Sequence, residues 1–377
     1  METKSSTSRG SGGQGSERGA AISAEVVIPC EDLGATLEFF TARLGLRVES
    51  IFPADDPAVA VIAGYGVRLC LERGAAGPAP TLRLRGAALD GLADADADEI
   101  VGPGGVRVLL APAEAPVVVP PLRPAFVHQR ASGDARWGVG RAGMGYRDLI
   151  PGRLGGRFIA SQIRIVDGGP VPDYVHFHRV RFQMIYCRRG WVRVVYEDQG
   201  PPFVMEAGDC VVQPPQIRHR VLESSAGLEV VELTCPAEHE THADPSTTLP
   251  NDVLRPERAF SGQRFVRHVA AAASWGPIAA GGYEARDLGI GGATEGLAGA
   301  RVLRRVGPPT ALPLAHAGEL RFLFVLGGSA SLARSGGAAA IDVDDAIVIP
   351  AGDDAAIVEP SDDLEVLMIE LPASIGR

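Results

Sequence analysis

The stretch Gly168-Gly-Pro-Val-Pro-Asp-Tyr-Val-His176-Phe-His178, carried on through Gln183 and Gly190 to Gly208, Pro214 and His219, decides how this chain reads. Residues two apart on a β-strand point to the same face. A strand through His176 and His178 therefore aims two imidazoles at one spot. Gln183 and His219, on neighbouring strands, are placed to close the same spot. Three imidazoles and one amide oxygen form a donor set suited to a divalent transition metal.

The stretch resembles the two cupin motifs, G-x5-H-x-H-x3,4-E-x6-G and G-x5-P-x-G-x2-H-x3-N. The resemblance implies that His176, His178 and His219 are metal ligands, with Gln183 in the place of the usual glutamate. The spacing from Gln183 to Gly190 and that of Gly208, Pro214 and His219 match the pattern. The chain departs from it at Gly169, one residue early, at Gln216 for the second glycine, and at Glu223 for the asparagine. The fold implied is mainly β: two cupin barrels (double-stranded β-helix, jelly-roll) preceded by an α+β module.

Working outward, 377 residues with 46% hydrophobic content supply two or three domains and ample core. A net charge of −10 argues against a nucleic-acid partner. Nothing approaches the apolar run that a membrane span requires. Five cysteines, odd in number and without CxxC spacing, fit reduced thiols in a cytoplasmic protein. Residues 1–20 are Ser/Gly-rich and are expected to be a disordered tail, without the apolar core of a signal peptide.

Residues 22–115 read as a β-α-β-β-β module. A strand at Glu25 is followed by a helix capped by Asp32, with Leu33, Leu37, Phe40 and Leu44 at helical spacing. This order resembles one module of the vicinal-oxygen-chelate (glyoxalase/bleomycin-resistance) family. The resemblance puts that family's ligand places on Glu25 and Glu72, though a complete site needs a paired module, which Thr81–Ala111 resembles only faintly. A scaffold or dimerisation role is expected instead. Residues 116–145, rich in proline at the start and glycine at the end, read as a linker. A metal-binding barrel follows at 146–240, a second linker at 241–255, and a degenerate barrel at 256–373.

The second barrel is read from an internal repeat. Arg286-Asp287-Leu288 echoes Arg147-Asp148-Leu149, 139 residues earlier, and Asp345–Gly352 echoes Asp209–Gln216 at an offset of 136. At the local offsets His176 falls on Leu314, Gln183 on Arg321 and His219 on Ala355; only His316 survives, at the place of His178.

Strand alternation extends the candidate site. If Gln183 points inward, Arg181, Ile185 and Cys187 follow it; if His219 does, so do Val221 and Glu223. Arg181 is a candidate clamp for a substrate carboxylate or phenolate, or else a rim residue in an ion pair. Glu223 is a candidate general base, or else a solvated strand end. Tyr174 is a candidate hydrogen-bond donor, Tyr186 a packing residue, and His239 and His242 are expected to be solvated. The neutral glutamine leaves the full 2+ charge on the ion, which favours an anionic, oxygen-rich small molecule.

The function taken first is a metal-dependent dioxygenase, implied by the resemblance to bicupins with one active barrel. Its cofactor would be Fe(II), with Zn, Ni and Mn as alternatives, and its substrate a small phenolic, enolic or hydroxy acid. A redox-neutral isomerase, cyclase or lyase using the ion as a Lewis acid is the alternative, followed by a small-molecule-binding protein. A homodimer is the default assembly.

Overall fold

The computed structural model describes residues 23–86, 92, 98–114, 116–131 and 137–372; the expected tail at 1–20 and most of the acidic run at 90–99 lie outside them. The chain is mainly β, with 46% strand and 8% helix, and divides into two units, Met1–Pro116 and Val117–Arg377. No helix among the described residues is long and apolar enough to cross a membrane.

The first unit follows the expected order. Strand Val26–Cys30 leads to helix Leu33–Glu38, then to strands Arg47–Phe52, Val59–Gly64 and Val67–Arg73. Asp32 caps the helix by accepting a 2.9 Å hydrogen bond from the Ala35 amide. Val26–Cys30 lies parallel to Val67–Arg73 in a four-stranded sheet. Ile28, Leu33, Phe40, Leu44, Ile62, Leu69 and Leu71 are buried together. Among the described residues, strands Thr81–Arg85, Glu99–Val101 and Arg107–Ala111 make a three-stranded sheet. Of the ligand places suggested for this module, Glu25 is ion-paired to Arg68 at 3.0 Å. Among the described residues, the metal-type cluster lies in the second unit.

The second unit holds two jelly-roll barrels. In the first, a seven-stranded sheet runs in the order Val266–His268, Cys210–Val212, Phe182–Arg189, Leu228–Cys235, Ile159–Ile165, Gly145–Asp148, Gly138–Val139. The other sheet runs Phe203–Glu206, Trp191–Tyr196, His219–Ser224, His176–His178, Thr241–Ala243. The second barrel repeats this plan with Phe322 and Phe324 on its long central strand Leu320–Gly327.

Side-chain alternation sorts each long strand between two cores. On Phe182–Arg189, Phe182, Met184 and Tyr186 enter a core shared with Phe322, Phe324 and Ile369 of the second barrel. Cys187 enters the interior of the first barrel with Val194, Val211 and Val230, and Ile185 packs against the same group. Tyr186 is thus a packing residue, as expected, and the thiols of Cys187 and Cys210 are buried as packing residues too.

The repeated Arg-Asp-Leu motif joins the barrels. Arg147 donates at 2.6 Å to the Asp344 carbonyl of the other barrel. Reciprocally, the Arg286 guanidinium lies 3.4 Å from the point a Cβ on Gly208 would occupy. Asp148 and Asp287 accept from the amides of Ile150 and Gly289, tightening the turns that follow. Leu149 and Leu288 are fully buried in the shared core.

Both stretches read as linkers hold short strands, and one of these is exchanged between the barrels. Val127–Gln129 pairs with Ala346–Ile349 of the second barrel. Val266–His268, from the start of the second copy, pairs with Cys210–Val212 of the first. Gly138–Val139 and Thr241–Ala243 likewise add edge strands to the first barrel. These additions cover edges that would otherwise present open backbone groups.

Candidate metal centre

His176 sits directly opposite His219 in the antiparallel ladder, and His178 follows two residues on. Ring centroids are 4.2 Å apart for His176 and His219, 5.1 Å for His176 and His178, and 5.2 Å for His178 and His219. One ligand nitrogen from each lies within 4.8 Å of the others. His176 and His219 are buried and His178 is half-buried.

The second hydrogen bond of each ring sets its tautomer. His176 Nδ1 lies 2.7 Å from the Tyr174 carbonyl and His219 Nδ1 3.0 Å from the Ile217 carbonyl. A carbonyl only accepts, so both Nδ1 atoms carry the proton and both Nε2 lone pairs are free. His178 Nδ1 meets the Thr241 hydroxyl at 2.9 Å. His176 Nε2 is buried with no partner in the protein. Burial, and then the neighbouring rings and Arg141, push all three imidazoles below the ordinary histidine range. Three clustered neutral rings, with the buried His176 Nε2 unpartnered, fit a divalent metal ion.

Gln183 is buried on the strand face that lines the interior, and its Nε2 has no hydrogen-bond partner. It stands close enough to Glu232 to favour that carboxylate, although burial dominates and raises Glu232 above the usual range. The other two candidates lie elsewhere. Arg181 precedes the first residue of its strand, and its Nη1 binds Glu319 of the second barrel at 3.1 Å. Glu319 also holds Arg157, so Arg181 belongs to a buried ion cluster between the barrels. Glu223 is taken off the inward face by a bulge where Arg193↔Glu223 is followed by Val194↔Val221. Its carboxylate faces Arg193 at 3.4 Å, about one-third exposed. Neither residue lines the cavity beside the histidines.

That cavity has a volume of about 80 Å³ and opens to solvent at its mouth. His178, His219, Tyr196, Gln213, Glu232, Tyr146 and Arg141 line it among a larger set of Ile, Val, Leu and Met side chains. Two of the polar residues were legible by alternation: Gln213 is two residues from inward Val211, and Glu232 two from inward Val230. Arg141 comes from the turn Arg141–Gly143, where no periodicity announces a direction. His239 is not solvated; its ring packs edge-on to His178 at 5.4 Å and burial lowers its basicity. His242 stacks on Phe177.

Among the described residues, the second barrel has no such cluster. Leu314 donates its amide to the Ala355 carbonyl at 2.7 Å, repeating the His176–His219 juxtaposition with two side chains that cannot ligate. Leu323, Val325, Leu332, Ile347, Ile357 and Val366 fill its interior. His316 uses both ring nitrogens within the protein, toward the Ile349 carbonyl and the Gly318 amide.

No protein-family model matches the chain, and no curated protein does. Among solved structures, protein Ylba from E. coli is similar at a TM-score of 0.49 and 10% identity, over 69% of this chain and 97% of that one. A variant of Bacillus subtilis oxalate decarboxylase OxdC is similar at a TM-score of 0.49 and 14% identity, over 69% and 79%. Lactobacillus farciminis oxalate decarboxylase in a formate complex is similar at 0.48 and 14%, over 68% and 90%. At these levels the fold assignment rests on strand order and register: a mainly β chain with two jelly-roll barrels, one of which carries a three-histidine cluster.

Proposed function

We propose that this chain is a metal-dependent dioxygenase acting on a small, largely apolar acid, phenolic, enolic or hydroxylated, that chelates the metal through adjacent oxygens. One observation carries the proposal: three imidazoles bring one ring nitrogen each within 4.8 Å of the others, beside a chiefly apolar cavity, and the buried His176 Nε2 has no partner in the protein. His176, His178 and His219 would hold the ion, with Gln183 as the candidate fourth donor. Fe(II) is the first choice of metal, and Zn, Ni and Mn are the alternatives. When bound, the ion supplies Lewis acidity and, as Fe(II), the redox capacity that oxygen chemistry needs.

The chain's own residues do the rest. The Tyr174 and Ile217 carbonyls and the Thr241 hydroxyl fix the three rings. The Ile, Val, Leu and Met lining keeps bulk water from the ligand and strengthens every polar contact inside. Tyr196 donates at 2.6 Å to Gln213 Oε1, which holds the amide in one orientation.

A second class is favoured by a different observation. Glu232 brings a carboxyl to the cavity wall, where it can give or take a proton. Isomerisation or lysis with the ion as a Lewis acid would use such a group directly.

Elemental analysis of protein purified without oxygen, followed by oxygen uptake with phenolic and enolic acids, tests the proposal. Iron near one per chain with substrate-dependent uptake is the expected result. Zinc, nickel or manganese without uptake moves the assignment to the redox-neutral class, and no metal in any preparation overturns both.

A further inference from the structure

Among the described residues that line the cavity, Arg141 is the one of the Arg/Lys class. Its Nη1 is ion-paired to Asp173, a buried carboxylate whose other oxygen accepts from the Val221 amide at 2.9 Å. Asp173 therefore holds the guanidinium in place on one side. Nε and Nη2 of Arg141 are left for a ligand, and a guanidinium edge matches a carboxylate in shape as well as charge. A cation in a chiefly apolar wall, fastened by a buried carboxylate, is a built feature.

A second donor stands on the same wall. Gln213 is 2% exposed, and its Nε2 is buried without a partner. Because the Tyr196 hydroxyl occupies Gln213 Oε1, the amide is turned so that its N–H groups remain unused. Buried donors in native proteins are nearly always satisfied. An oxygen of a bound ligand would satisfy this one.

Resting on the catalytic proposal above, we infer that Arg141 anchors a carboxylate of the substrate, with the Gln213 amide as a further donor to the same molecule. The ligand is then a monocarboxylic acid whose apolar body lies against Ile163, Ile185, Val194 and Leu228. Arg141 sets specificity by charge; it is a separate requirement from the metal.

The test uses the full chain loaded with its metal, and benzoate, cinnamate and hexanoate as probes against the corresponding primary amides. Binding is read by isothermal titration, and the metal content of each preparation is measured alongside. The acids are expected to bind at least tenfold more tightly than their amides to the native protein. That preference should vanish in Arg141→Met, return in part in Arg141→Lys, and persist in weakened form in Gln213→Leu, all with unchanged metal content. Equal binding of acids and amides by the native protein, no binding of any acid, or an undiminished preference in Arg141→Met overturns the assignment. The comparison of acid with amide needs no variant and stands even if Arg141→Met fails to fold. If no preparation binds metal, yet the protein prefers acids and loses the preference in Arg141→Met, the catalytic proposal fails and the anchor stands.

Discussion

Glu319→Gln separates the sequence expectation for Arg181 from what the fold does with it. One oxygen of Glu319 accepts from Arg157 Nε at 3.0 Å, Arg157 Nη2 at 2.9 Å and Arg181 Nη1 at 3.1 Å. The side chains are 15%, 7% and 15% exposed for Arg157, Glu319 and Arg181. At roughly 3 Å and an effective dielectric near 20, each attraction is about 5 kcal/mol gross. Desolvation of three charges and repulsion between the two guanidinium groups offset most of that. Glutamine keeps an acceptor in the same shape and removes only the charge. Two part-buried cations are then left facing each other, and stability should fall by about 3–5 kcal/mol. For a unit of this size that lowers the melting temperature by roughly 10 °C. Thermal unfolding of native and variant protein at matched metal loading is the assay. Metal content should not change, since the cluster joins the barrels and does not touch the imidazoles. Replacing all three by Met, Leu and Met should be nearly neutral, because the desolvation cost leaves with the charges. A Glu319→Gln variant melting within about 2 °C of native would show that the cluster is solvated and the reasoning wrong. Loss of metal in Arg181→Met would restore Arg181 to the site.

Other outcomes follow from the same structure. His176→Ala and His219→Ala should each reduce bound metal to near zero, measured by elemental analysis, whereas His316→Ala in the second barrel should leave it unchanged. In metal-free protein the three imidazoles are held below their ordinary value of 6.5, so the folded state binds fewer protons there than the unfolded chain. Their contribution is therefore complete above pH 6.5 and lost as pH falls below it; a urea midpoint that stays flat or rises between pH 7 and pH 5 would contradict this. Gly168 has φ +66° and a Cβ there would lie 2.3 Å from the Ala226 amide nitrogen, whereas Gly169, at φ +90°, faces open space. Gly168→Ala should cost about 3 kcal/mol or more and Gly169→Ala about 1–2 kcal/mol in equilibrium unfolding.

Much of this molecule is written in local spacing. The i, i+2 pair His176 and His178, the turn residues Gly190 and Gly208, and the alternation along Phe182–Arg189 and Leu228–Cys235 are properties of a few consecutive residues. A strand's period of two converts them directly into a face. The duplicated barrel was legible for the same reason, since Arg147-Asp148-Leu149 and Arg286-Asp287-Leu288 repeat a local turn. So was the loss of the second centre, where Leu314 and Ala355 stand opposite each other as His176 and His219 do.

What tertiary structure alone decided is where side chains go once the period breaks or the partner is remote. Arg181 lies one residue before its strand and reaches Glu319, 138 positions away in sequence. Glu223 lies past a bulge that only strand pairing reveals. Val127–Gln129 and Val266–His268 have too little sequence to declare themselves as strands, and they acquire that role only by closing the edge of the opposite barrel. Arg141 enters the cavity from a turn whose direction is set by Asp173, itself held by the Val221 amide. Periodicity is a local signal and fixes faces; ion pairs, bulges and exchanged strands depend on contacts between distant residues, which exist only in the folded chain.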